Sequence, residues 1–323
     1  MPPTQPFAHD WDRVAVLQSE QWNWLAVEIA EIQRCAAAGD QAHDRLALIL
    51  LDHLAEVVMG REVNTRLALQ VADSVVEEMR EFRASGGELD GELSRRVDEH
   101  VGPDRRRKMD KHLHETTKYL VQVGYLSFQE REVLDRLHEY RNGAYHQDEL
   151  EPDLIADLVL AYRFLANELL ARHRPLAWAM RASGTATVVT PQQLVGRLVE
   201  GMDLDLKAMG RRFCDHATRR VQAISAAVST AQGLLRGFEG AHVPVPDDAV
   251  GRLLSEISAA SRHLQSWSRQ AEGLRSKTSS LAAVMVPFIN LDRILRPVEP
   301  SVRRLDMLED WWEQARIDEI RGR

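Results

Sequence analysis

In Tyr140-Arg141-Asn142-Gly143-Ala144-Tyr145-His146, residue type, spacing and context point together at chemistry. An arginine and a histidine with four residues between them, near the end of one helix, can face a common cleft. Arginine presents a planar fork of donors that matches a phosphate. Histidine has an ordinary pKa of roughly 6.5, so it can move protons at working pH. Together they suit RNA cleavage without a metal. A base takes the ribose 2′-OH proton, the 2′-oxygen attacks the adjacent phosphorus, and a cation steadies the phosphoryl oxygens. The same two residue types also have a plainer use, as caps on the last carbonyls of a helix.

Spacing alone does not single out this pair. With 36 arginines and 12 histidines in 323 positions, about one such match is expected by chance. The chain has four: Arg95/His100, Arg107/His112, Arg141/His146 and Arg211/His216. Context separates Arg141 from the others, because it alone is followed by Asn. It also closes a helix whose start, Ser127-Phe-Gln-Glu130, has the form of a capping box. Pro152 then opens another helix, and an apolar run from Leu46 to Val58 lies upstream. Weaker candidates are Asp52, His53 and Glu56 as lining of the same cleft, and Arg105–Lys108 with Lys111 as a strip facing RNA. Arg212, His216, Arg219 and Arg220 read as a solvated basic stripe. His112 and His114 are close together without a convincing third or fourth metal ligand.

At these residues the chain resembles the HEPN superfamily, small helical domains marked by R-x4-6-H, often with a polar residue after the Arg. The match is Arg141-Asn142-x3-His146, within residues 42–175. The resemblance implies a ribonuclease, frequently a toxin or phage-defence effector, with a cleft formed where two such domains pair. Arg141 would contact phosphate, His146 would be the general acid/base, and Asn142 would orient them. RNA is the implied substrate, a homodimer the implied assembly and an antitoxin protein a possible partner. No cofactor or metal is called for. One departure stands out: where some members carry a Tyr two residues past the His, this chain has Asp148.

The elements that must hold these residues read almost entirely as helix, so the expected fold is all-α. Asp10 is placed to cap a first helix running to Ala38, which Gly39-Asp40 ends. A second helix is expected from about Ala42 to Arg83, a short one over Glu88–His100, and another over Arg105–Leu120. The segment 182–191 lacks helical period and divides a HEPN-like bundle, 1–181, from a second domain, 191–323. There Leu253, Ile257, Ala260, Leu264, Trp267, Ala271, Leu274, Thr278, Leu281 and Met285 alternate steps of four and three, a heptad seam. Leu206, Met209, Phe213, Ala217, Val221, Ile224, Val228, Ala231 and Leu235 nearly match it. An antiparallel hairpin follows, with Pro244 and Pro246 in its loop. Pro287, Pro297 and Pro300 are expected to interrupt, before a closing helix with Leu305, Leu308, Trp311 and Trp312.

Composition narrows the function classes. Hydrophobic residues are 44% and charged ones 28%, which excludes general disorder. No apolar run approaches a membrane span, and no glycine-rich phosphate loop is present. Cys35 and Cys214 form no metal spacing, so a reducing cytoplasm is the default expectation. Net charge is −8, with the acid concentrated before residue 181, so global charge does not favour RNA. The runner-up is a different class: a non-catalytic assembly protein that works through the heptad hairpin.

Overall fold

The computed structural model describes residues 8–70, 72–146, 152–173, 191–200, 205–241, 248–277 and 279–305. Within its helices, the side chains of residues 8–21, 145–146, 191–192, 196, 235, 237–241 and 248–251 lie outside that description. Expectations for 182–190, Pro244, Pro246, Asp148, Leu308, Trp311 and Trp312 also fall outside it. Among the described residues every regular element is a helix, so the fold is all-α. None of these helices is long and apolar enough to cross a membrane. The chain forms two compact units, Met1–Asp203 and Leu204–Arg323.

In the first unit, α1 (Ala8–Ala38) starts before Asp10, which therefore lies inside the helix rather than at its cap. It ends at Gly39, whose φ of +68° lies in the left-handed region that suits glycine. Asp40 then caps α2 (Gln41–Ala68), accepting from the amides of Ala42 and His43. Ala47, Leu48, Leu51, Leu54, Ala55, Val58 and Met59 recur at helical spacing and are buried. Most of α2 is therefore covered: it packs on α1, α6 (Leu113–Gln122), α7 (Phe128–His146) and α8 (Pro152–Arg172).

Two expected helices are each divided in the structure. The 42–83 helix breaks after Ala68, and α3 (Asp73–Ala84) begins afresh. Gln70 in the break accepts from the amide of Val101 through its side-chain oxygen (3.2 Å). The 105–120 helix is α5 (Pro103–Met109) followed by α6. There His112 is extended, and the Thr116 hydroxyl donates to the Met109 carbonyl across the corner. The short expected helix is α4 (Gly91–Asp98). The expected turn at Gly124 has a φ of +70°. The capping box holds as read: Ser127 Oγ accepts from the Glu130 amide (3.1 Å), and Glu130 Oε2 accepts from the Ser127 amide (2.8 Å). A short α9 (Pro191–Leu198), expected with the hairpin, packs instead on α8 and α1.

The second unit is built on α10 (Leu206–Ala241). The opposing arm of the expected hairpin is three helices, α11 (Asp248–Ala260), α12 (Leu264–Leu274) and α13 (Leu281–Leu295), each packed on α10. Ile257, Ala260, Trp267, Ala271, Leu274, Leu281 and Met285 of the seam are buried. The apolar period thus survives breaks at 261–263 and 275–280, where the heptad reading had a continuous helix. Pro287 does not interrupt; it lies inside α13. The basic stripe is not solvated throughout. His216 is buried, and Arg220 pairs with Asp292 (2.6 Å) and Glu299 (2.5 Å).

The break after α12 brings backbone close to Gly210 on α10. A Cβ there would lie 3.2 Å from the carbonyl oxygens of both Leu274 and Lys277. Gly233, further along α10, has nothing within 4 Å of its Cβ position. Gly210→Val is therefore expected to cost about 1–3 kcal/mol through overpacking, and Gly233→Ala to add about 0.5–1 kcal/mol. Urea denaturation of the full chain checks both signs.

Candidate active site

The site forms around a buried carboxylate on α2. Asp52 is wholly buried among helices, yet it is surrounded by donors. The Tyr162 hydroxyl on α8 donates to its Oδ1 (2.7 Å). His138 Nδ1 on α7 lies 3.0 Å from Oδ2 and 3.2 Å from Oδ1. Arg141 Nε stands 3.0 Å from Oδ2, an ion pair whose angle falls short of a hydrogen bond. A buried charge is tolerable when its lone pairs are filled in this way. Burial, and then the charge of Asp52, push the Tyr162 phenol well above its ordinary pKa, so it stays a neutral donor.

Helical spacing explains why these side chains meet. Asp52 and Glu56 are four apart on α2, and His138 and Arg141 are three apart on α7, so each pair shares one helix face. Val133, Leu134, Leu137 and Tyr140 bury α7 and fix its rotation. Glu56 Oε1 lies 3.3 Å from His138 Nδ1, so two carboxylates share one imidazole nitrogen. Asn142 Oδ1 accepts from a terminal nitrogen of Arg141 (2.8 Å). The guanidinium is thus held at two points, by Asp52 and by Asn142.

His138 and Glu56 reach the wall of a cleft of about 430 Å³, which His53, Asn64, Lys111 and His112 also line. The Asp52 hydrogen bond first, and the Glu56 one next, raise the His138 pKa to about 9. The imidazole is therefore a cation at neutral pH. Donor atoms of Asp52, Glu56 and His138 lie within 4.8 Å of one another, close enough to share one cation. Arg141 stands beside the same Asp52 carboxylate.

Arg141 contacts Asn142 and Asp52, and Glu56 contacts His138 beside them. His146 is the last residue of α7, and its side chain lies outside the described residues. The other three R-x4-H pairs are engaged elsewhere. Arg95 pairs with Glu92 while His100 bonds Asp73. Arg107 pairs with Asp104 while His112 lines the cleft. Arg211 pairs with Asp205 while His216 meets Arg219. The basic string is also largely paired, since Arg105 bonds Gln122 and Arg106 bonds Asp73; Lys111 alone of that group lines the cleft. His114 is near Asp135 (3.7 Å) and Arg131 (3.1 Å) rather than in a metal set.

Sequence reasoning missed His138. The available signal was its place three residues before Arg141, opposite an acid pair at i,i+4 on the apolar helix. Comparison with protein-family models, with curated proteins and with solved structures gives no match. What the site can do follows from its own geometry.

The raised His138 pKa has a consequence for stability. A folded pKa above the unfolded value of roughly 6.5 means that this contribution is complete below pH ~6.5. It is lost as pH rises through about 9. His138→Asn keeps a donor at the Nδ1 position but cannot titrate. Between pH ~6.5 and ~9.5 the wild type is expected to lose on the order of 1–2 kcal/mol more than this variant, allowing for partial exposure. Urea midpoints at the two pH values measure the difference, and parallel profiles would refute the assignment.

Proposed function

We propose that the first unit carries an endoribonuclease site that cleaves RNA without a metal, in the manner of HEPN-type ribonucleases. The 2′-oxygen forms a bond to phosphorus and the P–O5′ bond breaks. The 2′-OH proton passes to a base, and a proton is delivered to the departing 5′-oxygen. A 2′,3′-cyclic phosphate and a 5′-hydroxyl result. Arg141 holds the phosphoryl oxygens, Asn142 orients its guanidinium, and His146 takes the 2′-OH proton. The observation that carries this function is the anchoring of Arg141 by buried Asp52 and by Asn142. A guanidinium fixed at two points presents its remaining donors without paying to reorganise. A cellular role as a toxin or phage-defence effector fits such an activity.

The expected loss is about 10²–10⁴-fold in RNA cleavage for His146→Ala, with the fold retained. Arg141→Lys keeps charge but not the planar fork, and a comparable loss is expected. EDTA is expected to change little. Full activity in folded His146→Ala protein would remove that residue from the reaction.

One motif supplies one Arg and one His, whereas the reaction uses groups on both sides of the phosphorus. The working form we propose is a homodimer that joins two motifs across a two-fold axis. Mixed Arg141→Ala and His146→Ala chains are then expected to recover part of the activity. Light scattering that finds an active strict monomer would overturn the shared cleft.

A further inference from the structure

Resting on that ribonuclease function, we infer that His138 is a second catalytic histidine, the general acid that protonates the departing 5′-oxygen. Its geometry is the ground. Nδ1 is held by Asp52 and Glu56, which fixes the ring orientation and leaves Nε2 as its other polar atom. Among the described residues nothing bonds Nε2, and the ring lines the 430 Å³ cleft with 29% of its side chain exposed. A buried carboxylate behind a histidine whose ring lines a cleft is the arrangement that proton-transfer histidines need.

The surroundings also set the direction of transfer. Asp52 and Glu56 on α2 face the imidazole, Arg141 follows it on α7, and Tyr162 on α8 donates to the same Asp52. Across the cleft wall stand His53, Asp110, Lys111 and His112. The two acids nearest the ring favour the charged form, so His138 enters the reaction carrying a proton. It can give that proton to an alkoxide and cannot first accept one, which separates its role from that of a base. Lys111 on the same wall adds positive charge for the RNA backbone.

The test compares ordinary RNA with RNA whose scissile linkage carries a bridging 5′-sulfur. A thiolate leaves without a proton, so that substrate does not need the acid. His138→Asn keeps the donor to Asp52 and deletes Nε2, and His138→Gln is the second variant. Both are first checked for native urea midpoints at pH 9.5, where the imidazolium contributes least. On ordinary RNA each is expected to lose about 10²–10³-fold. On the 5′-thio substrate each is expected to return to within about tenfold of wild type. Arg141→Ala, which removes phosphate binding, is expected to stay impaired on both. Equal losses of the His138 variants on both substrates would assign the residue a structural role and overturn the proposal, as would wild-type cleavage of ordinary RNA by these variants. Cleavage that EDTA abolishes and Zn²⁺ restores would also overturn it. A wild-type protein that cuts neither substrate would instead bring down the ribonuclease function, and this inference with it.

Discussion

The first unit depends on one buried negative charge. Asp52 has no exposed surface, and its carboxylate joins α2, α7 and α8 through His138, Arg141 and Tyr162. Taking a carboxylate out of water costs several kcal/mol, and neighbours return that only if they fill its lone pairs. Of these neighbours His138 lines the cleft, while Tyr162 is buried. Whatever misplaces Arg141 or His138 therefore also takes a partner from Asp52. Such contacts do not add independently, because each donor to Asp52 sets the field felt by the others.

The same device recurs fifteen or so ångströms along α2, ten residues on. Glu62 is buried, accepts from Arg66 (2.7 Å) and lies 3.0 Å from His173 Nδ1 at the end of α8. Burial works to raise its pKa, but the bonds from His173 and Arg66 outweigh that and lower it. There His173 is closed off, only 3% exposed and beside the Trp22 ring. His138 makes the equivalent contact with its far side exposed. Two acid–histidine pairs on one helix thus differ in access to solvent, and access is what separates a structural tie from a group able to exchange a proton with a ligand.

Helix identity and the position of Arg141 were legible because they rest on local rules. Gly39, Gly124, the Asp40 cap and the Ser127–Glu130 box each follow from the residue and its nearest neighbours. The broken helices were not legible, because their causes are distant in sequence. The Gln70 side chain accepts from Val101, and Thr116 reaches back to Met109. In the second unit the heptad period found the buried face but not the corners at 261–263 and 275–280. Periodicity records which side is covered, and three short helices lying along α10 keep that record as well as one long helix would. His138 went unread for a related reason. Its importance comes from an acid 86 positions away, and no spacing within α7 announces it.

Arg220 in the second unit gives a physical contrast with Arg141. Both are arginines drawn to buried aspartates, Asp292 and Asp52. Arg220 meets two carboxylates, and its side chain is only 10% exposed. Such a guanidinium is neutralised and shut in, so it serves to join α10 to α13 and to the chain just after it. Arg141 meets one carboxylate, which it shares with an imidazolium, and its second described contact is the neutral amide of Asn142. Positive charge around Asp52 thus exceeds what that one acid can cancel, with Glu56 balancing it from the side of His138. An arrangement of that kind holds its cations in place through a buried acid while leaving them able to respond to an anion, which a fully paired arginine cannot do.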